Sequence, residues 1–269
     1  MCEGWVFLTY QCNQPMEIGV GSASEDVVPK TKTVHLIGTV HVSENSAQKV
    51  ERVIAEVLPD VVCIELDLQR FKALQKMGEG GHFRYSPGVS ELLTLPGVLR
   101  WLQQEVGEEL GVMPGAEMLS AYQAARKYKL NLALIDRPVQ VTINHLLAGM
   151  SFGEKVRLGA YIVATVGLFA LRPVFGKRVF NLAAMFGESR ELDLRKLEKG
   201  HGVGELMEEL RKRFPTIYKT LVEERNIYMS RNIINILRKA DTLVVTVGMG
   251  HVSGMETVLR ANGIDVRTH

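Results

Sequence analysis

The chain has 269 residues, of which 46% are hydrophobic and 23% are charged. This composition is typical of a globular protein with one large hydrophobic core or two modest ones, and it excludes a disordered chain or a coiled coil. The 32 basic and 30 acidic residues are interspersed and leave a net charge of only +2. The charge pattern therefore gives no indication of a nucleic-acid partner.

The cysteines indicate a reducing compartment. Cys2, Cys12 and Cys63 cannot form a closed set of disulfides, and their spacing fits no zinc knuckle. Cys63 lies within an apolar run, where a cysteine usually behaves as a small buried hydrophobic residue. We therefore expect a cytoplasmic protein.

Residues 1–33 do not have the pattern of a secretory signal peptide. Glu3 interrupts the segment early, and no basic residue precedes its apolar stretch. We expect either a loosely attached leader or a short hairpin in this region. Periodic structure begins near Thr33, so residues 34–269 are predicted to form a single α/β domain.

Short apolar runs rich in β-branched residues predict a mostly parallel β-sheet that is buried on both faces by helices. The four main predicted strands are Val34–Val40, Val61–Leu66, Leu132–Ile135 and Leu243–Val247. A fifth, weaker strand is predicted at Asp265–Thr268, after the Asn262–Gly263 turn.

Helical patterns outnumber the strands. One amphipathic helix should run from Ser43 to Val57 and join the first two strands in a right-handed crossover. The stretch from about residue 139 to 239 contains no convincing strand and is predicted to be a large helical insertion. Further helices are expected at Pro87–Val106, Ala116–Tyr128, Val139–Leu147, Lys155–Leu171, Leu192–Lys199, Gly204–Phe214, Thr216–Lys239 and Ser253–Ala261.

The most apolar segment is Leu158–Leu171, which is flanked by Arg157 and Arg172. At about 14 residues it is shorter than the roughly 20 needed to cross a bilayer. We expect a helix that is buried or faces another subunit of a homo-oligomer. An interfacial helix that associates with a membrane is the alternative.

Every main strand is followed by ionisable side chains. Because the carboxyl ends of parallel strands meet at one edge of the sheet, these side chains should lie close together and form a ligand site. They are His41 after the first strand, Glu65 and Asp67 after the second, Asp136 and Arg137 after the third, and His251 after the fourth.

Two histidines and a glutamate at this edge could bind a metal ion. His41 and His251 each follow a glycine by three residues, and Glu65 lies within an apolar run, where a carboxylate must be paired. Imidazole and carboxylate ligands suit zinc or another divalent ion with an open position for water. The alternative is that each histidine only caps a helix or makes a structural hydrogen bond.

Two more polar groups are candidates for the same site. Glu117 begins a helix, where it either interacts with the helix dipole or points into the site. Arg225 shares one side of a long helix with Leu221 and Met229, so it could face inward and pair with a buried carboxylate.

The sequence resembles the TraB/PrgY family, particularly its archaeal members. Six segments follow in the expected order from about residue 34 to 260. They are HLIGTVHVS, VVCIELDLQRF, PGAEMLSAYQAA, LIDRPVQVT, EERNIYMSRNI and VVTVGMGHVSGM. The wider superfamily includes the Tiki proteins and, more distantly, erythromycin-esterase-like and ChaN-like domains, so the resemblance implies a Tiki-type α/β fold with a large helical insertion.

The resemblance also implies which residues form the site. Tiki proteins are metal-dependent proteases whose active centre contains two GxxH motifs and a glutamate after the first motif. These elements correspond to Gly38 with His41, Glu65, and Gly248 with His251. The other family segments would contribute Arg70, Glu117, Asp136, Arg137 and Arg225, whereas Asn226 stands where many relatives have an acidic residue.

The function implied by the resemblance is that of a metal-dependent hydrolase acting on peptide or protein substrates. His41, Glu65 and His251 would bind zinc, manganese or cobalt, and Glu117 would serve as general base. Arg70, Arg137 or Arg225 would stabilise the oxyanion. The alternative is a binding protein that sequesters a peptide without catalysis, because PrgY and TraB are linked to the shutdown of peptide pheromone signals.

Many members of the family also carry a C-terminal membrane region, which this sequence lacks. The chain is therefore expected to be either a truncated domain of a membrane-associated full-length protein or a soluble relative.

Overall fold

The computed structural model describes residues 7–9, 32–39, 44–78, 115–157, 159–160 and 203–269. Its centre is a six-stranded parallel sheet with the strand order β1-β4-β3-β5-β2-β6. The strands are β1 Phe7–Thr9, β2 Thr33–Thr39, β3 Val61–Ile64, β4 Asn131–Leu134, β5 Thr242–Gly248 and β6 Asp265–Thr268. The predicted α/β class with a parallel sheet is confirmed.

Helices connect and cover these strands. They are α1 Glu44–Val57, α2 Leu68–Gly78, α3 Ala116–Lys127, α4 Val139–Gly149, α5 Val203–Arg213, α6 Pro215–Tyr218, α7 Glu224–Ile236 and α8 Met249–Ala261. A π-helix, Lys219–Glu223, joins α6 to α7. The sequence pattern predicts one regular helix over this stretch, so the π-helix is a local departure from the prediction.

Both faces of the sheet are packed with apolar side chains, as the strand sequences predict. Alternate residues of β3 point to opposite faces, because successive side chains of a strand alternate. Cys63 packs with Met229 of α7 and Met255 of α8, whereas Ile64 packs with residues of α1, α2 and α3. The sheet is therefore the middle of three layers.

The connections of the sheet change face at β5, and in open α/β sheets such a reversal leaves a crevice at the carboxyl ends of the strands. The helix after β5 is α8, which packs on one face, whereas the helices after its neighbours β2 and β3 are α1 and α2, which pack on the other. In open α/β sheets, ligands bind at the carboxyl ends of the strands where such a reversal occurs. The topology therefore selects the ends of β2, β3 and β5 as the candidate site.

The structure adds three features to the predicted elements. Residues 7–9 form an edge strand beside β4, and α2 follows β3 directly. Helix α8 begins at Met249, four residues earlier than predicted. It follows β5 without a loop, and Gly248, the last residue of β5, is its N-cap residue.

The apolar segment 158–171 lies outside the described residues, apart from positions 159 and 160, and so do the helices predicted at residues 87–106 and 192–199. Among the described helices, none combines the length and the apolar character that a membrane span requires.

Candidate functional site

Glu65 is the first residue after β3, and its carboxylate is buried at the centre of the crevice. Its Oε2 accepts a hydrogen bond from the backbone N–H of Gly248 at 2.7 Å, where β5 meets α8. Its Oε1 accepts a short hydrogen bond from the guanidinium of Arg225. One carboxylate thus joins the ends of β3 and β5. Its charge can be buried because both of its oxygens accept hydrogen bonds, one of them from a cation.

His251 lies in the first turn of α8 and is also buried. Its Nδ1 is 2.6 Å from Oδ1 of Asn226, an oxygen that can only accept, so Nδ1 carries the proton and donates it. The lone pair of Nε2 therefore faces the crevice, where Nη1 of Arg225 donates to it at 3.1 Å. Nε2 is also 3.4 Å from Oε1 of Glu65. Arg225 donates to both atoms, so its positive charge offsets the repulsion between these two electron-pair donors.

Asn226 reaches His251 because α8 has a glycine at position 254. A Cβ atom there would overlap the amide nitrogen of Asn226. A side chain on Gly254 would therefore push Asn226 away and release the imidazole from its fixed orientation. Gly38 has a related role, since a Cβ there would lie 2.7 Å from Val252 of α8.

Arg225 bridges two buried carboxylates of the crevice, those of Glu65 and Asp136. Its Nη2 donates to Glu65 and, at 2.7 Å, to Oδ2 of Asp136, and its Nε donates to Oδ1 of Asp136 at 3.1 Å. Its Nη1 also donates to the carbonyl of Leu221 in the π-helix at 3.2 Å. Although burial opposes the charge, the two carboxylates raise the pKa of the guanidinium. The predicted pairing of Arg225 with a buried carboxylate is confirmed.

Asp136 follows β4, and its side chain is only 1% exposed. Burial favours the neutral acid, but the guanidiniums of Arg225 and Arg70 outweigh burial and lower the pKa of Asp136 to about 2. Asp136 is therefore ionised at neutral pH and has two cationic partners.

Arg70 is more exposed than Arg137 or Arg225, with 40% of its side chain accessible. Its guanidinium donates to Asp136 and, through Nε, to Oδ2 of Asp67 at 2.8 Å. Asp67 also accepts from the backbone N–H groups of Gln69 and Arg70, so it caps the first turn of α2. The cap and the ion pair together fix Arg70 at the rim.

Arg137 lies next to Asp136 in sequence, but its guanidinium belongs to a separate, outer cluster. Nε donates to Oγ1 of Thr142 and Nη2 to the carbonyl of Thr220, both at 2.8 Å. Nη1 donates to Glu224 at 3.1 Å. Burial opposes ionisation of Glu224, but hydrogen bonds from His145 and Arg137 lower its pKa. Arg137 thus ties α4 to the π-helix.

His41 lies outside the described residues. Glu117 is buried in the first turn of α3, and its role as a general base remains a prediction.

The geometry of Glu65 and His251 fits part of a metal site. Zinc bonds imidazole nitrogen and carboxylate oxygen at about 2.0–2.2 Å, so two such ligands at a tetrahedral angle lie about 3.3–3.5 Å apart. The separation of 3.4 Å between Nε2 and Oε1 falls in this range. Within the described residues, no three histidine, cysteine or acidic side chains converge to hold a metal ion. The pair has the spacing of two zinc ligands, and His41 is the predicted third.

Comparison with known proteins agrees with the sequence resemblance. The sequence model of the TraB/PrgY/gumN family matches residues 26–268. An uncharacterized protein of Methanocaldococcus jannaschii is 31% identical over 248 residues, which cover 87% of this chain and 55% of that protein. The human TraB domain-containing protein is 29% identical over 252 residues, which cover 83% of this chain and 61% of the human one.

The bovine TraB domain-containing protein is 28% identical over 264 residues. The matched region covers 64% of the bovine protein, so the chain spans less than two thirds of the length of each of these relatives.

Proposed function

The chain belongs to the TraB/PrgY/gumN family, and from this premise we propose that it is a metal-dependent hydrolase that acts on peptides. The observation that carries the metal site is the pair formed by Glu65 and His251. Their facing atoms are 3.4 Å apart, and the proton of His251 is held on the far nitrogen. A metal-binding histidine needs this arrangement, because its other ring N–H is normally fixed by an oxygen acceptor.

The proposed ligands are His41, Glu65 and His251, and a divalent ion bound there would lower the pKa of a water molecule and polarise a carbonyl group. The rest of the crevice supports this set. The Gly248 N–H orients Glu65, and Asn226 orients His251. These contacts keep both ligands in place before an ion arrives, which lowers the entropic cost of binding.

Arg70 is the cation best placed to contact a substrate. Its exposed guanidinium is held at the rim by Asp67 and Asp136, so it can donate to a substrate oxygen without reorienting. Arg137 is less suited to this role, because its three nitrogens already donate to Thr142, Glu224 and Thr220. Glu117 is the proposed general base.

Metal content tests the proposal directly. Protein purified without an affinity tag should contain a divalent ion by elemental analysis, and His41→Ala and His251→Ala should each lose it. His269→Ala is the matched control, since His269 pairs with His35 away from the crevice. Equal metal content in all four proteins would remove the metal site from the proposal.

The second candidate is a binding protein that sequesters a peptide without catalysis. The observation in its favour is that Arg225 donates hydrogen bonds to Glu65, Asp136 and His251. These side chains therefore have a cationic partner without a metal ion. The polar edge would then recognise charged groups of the ligand. A peptide library incubated with the protein and added zinc, manganese or cobalt distinguishes the two functions by mass spectrometry. Cleaved products support the hydrolase, whereas binding with no product in any metal supports sequestration.

A further inference from the structure

The nitrogen of His251 that faces the crevice has a single lone pair. Nδ1 is protonated and donates to Asn226, so Nε2 is the only acceptor of the ring. That lone pair now accepts the hydrogen bond from Nη1 of Arg225. A hydrogen bond and a metal bond cannot use the same lone pair, so the two are mutually exclusive at Nε2.

Arg225 can leave this nitrogen without losing its contact with Asp136. Its Nε and Nη2 hold both oxygens of Asp136, at 3.1 and 2.7 Å. Such a two-pronged contact between guanidinium and carboxylate is geometrically specific and strong. The contacts that would be lost run from Nη1 to His251 and from Nη2 to Glu65, and neither involves Nε. Asp136 would therefore continue to bind the guanidinium after Arg225 has left His251.

We propose that Arg225 is an internal competitor for the metal site: its guanidinium occupies the acceptors of His251 and Glu65, and a divalent ion binds only by displacing it toward Asp136. This inference rests on the proposed metal-dependent function. It assigns Arg225 a role in setting metal affinity, beyond the oxyanion role that the resemblance implies for it.

The charges of the crevice provide a way to test this inference. Three carboxylates, Glu65, Asp67 and Asp136, contact two guanidiniums, Arg70 and Arg225. Both arginines contact Asp136, but only Arg225 also contacts His251. Arg70→Gln therefore removes a charge, with its contacts to Asp67 and Asp136, but leaves the contact between Arg225 and His251 in place. Arg225→Lys keeps the charge but removes that contact.

The decisive comparison uses Arg225→Lys and Arg70→Gln. Lysine keeps the positive charge, but its single ammonium cannot replace the planar fork that spans Asp136 and His251. We expect zinc affinity, measured by competition with a chromophoric chelator, to rise roughly ten- to a hundredfold in Arg225→Lys, the range for loss of one charge-assisted hydrogen bond. Arg70→Gln should change the affinity by less than about threefold, because a partly exposed charge is screened.

The outcomes separate the inference from the function on which it rests. If Arg70→Gln binds zinc more tightly than Arg225→Lys, net charge controls the affinity and the competition is overturned. If zinc binds His251→Ala as well as it binds the wild type and Arg225→Lys, the crevice is not the zinc site and both proposals fail. Binding that remains in His251→Ala measures other sites, such as the His35–His269 pair.

A measurement on the unmodified chain guards against a misfolded variant. Zinc should move the ¹⁵N resonance of His251 Nε2 into the range of a metal-bound nitrogen, while the Nε–H of Arg225 stays protected by Asp136. A scalar coupling from Arg225 to His251 that persists at saturating zinc would overturn the inference.

Discussion

Two arginines lie on either side of the π-helix and illustrate two uses of a buried guanidinium. Arg137 donates to a threonine hydroxyl, a backbone carbonyl and Glu224 in the outer cluster. Arg225 donates to two buried carboxylates and an imidazole in the crevice. The partners of Arg137 lie on α4, the π-helix and α7, so its contacts join these helices. The partners of Arg225 are carboxylate and imidazole groups, which are also the groups that bind divalent metal ions.

The π-helix supplies both arginines with an acceptor. The carbonyl of Thr220 accepts from Arg137, and the next carbonyl, that of Leu221, accepts from Arg225. Short π-helical turns are rare and often occur at functional sites. Here the turn places Glu224 in the outer cluster and Arg225 in the crevice, although the two residues are adjacent in sequence.

The largest expected effect comes from removing the carboxylate that both Arg70 and Arg225 contact. Asp136→Asn should lower the free energy of unfolding by about 3–5 kcal/mol, because it leaves a buried guanidinium with too little negative charge. Urea unfolding at pH 7 measures this loss. The matched control is Asp265→Asn, which breaks the exposed pair with Arg267 and should cost less than about 1 kcal/mol. Equal effects would contradict the electrostatic account of the crevice.

Arg137→Met tests whether the outer cluster is purely structural. We expect a loss of about 2–4 kcal/mol in unfolding free energy, since Glu224 and the Thr220 carbonyl each lose a donor. Zinc affinity should not change. If Arg137→Met retains its stability but loses zinc binding, the purely structural role of Arg137 is contradicted.

The pH dependence of stability should also report on Asp136. Its pKa of about 2 in the folded chain lies below the unfolded value of about 3.9. The ionised form is therefore favoured by folding, and the stabilisation is present above the unfolded pKa and lost as the pH falls through the folded one. The loss should reach about 2–3 kcal/mol between roughly pH 5 and pH 1.

Urea unfolding at stepped pH measures this loss. Asp136→Asn should have a shallower slope in the acid range than the wild type, and identical slopes would assign the acid sensitivity to other carboxylates.

The smallest effect on stability is expected at Gly254. Gly254→Ala forces Asn226 away from α8 and should cost about 1–3 kcal/mol. It should also weaken zinc binding by about 10–100-fold, because the imidazole loses its orienting acceptor. Gly204→Ala in α5 is the control, since a Cβ there meets nothing within 4 Å. If both variants bind zinc as the wild type does, Asn226 does not orient His251.

The sheet and the edge that carries the site could be predicted because both depend on local pattern. The apolar runs of β3 and β5 have few alternatives to a buried strand, and the ionisable residues that follow them must meet at one edge. The start of α8 could not be predicted in the same way. Gly248 and Gly250 are poor helix formers, so the sequence pattern does not indicate that the helix has already begun at His251.

The partners of individual side chains depend on tertiary packing and were harder to predict. The sequence indicates that Arg225 faces inward, but its choice of Asp136 and Glu65 is set by how α7 packs on the sheet. The sequence does not predict the contact of Asn226 with His251, because the resemblance leads us to expect an acidic residue at this position. A signal for α2 was available, since Asp67 is a favourable N-cap residue before Leu68–Gly78.

The position of β5 has a consequence for the order of folding. This strand is central in the sheet but lies near the end of the chain, and it pairs with β2 and β3, which are made far earlier. Until β5 is synthesised, β2 and β3 lack their shared neighbour and expose edges that favour aggregation. Pairing over such long sequence separations is slow. Insertion of β5 would complete the sheet and assemble the crevice in one step. A nascent chain that ends before Thr242 should therefore have neither the complete sheet nor the crevice.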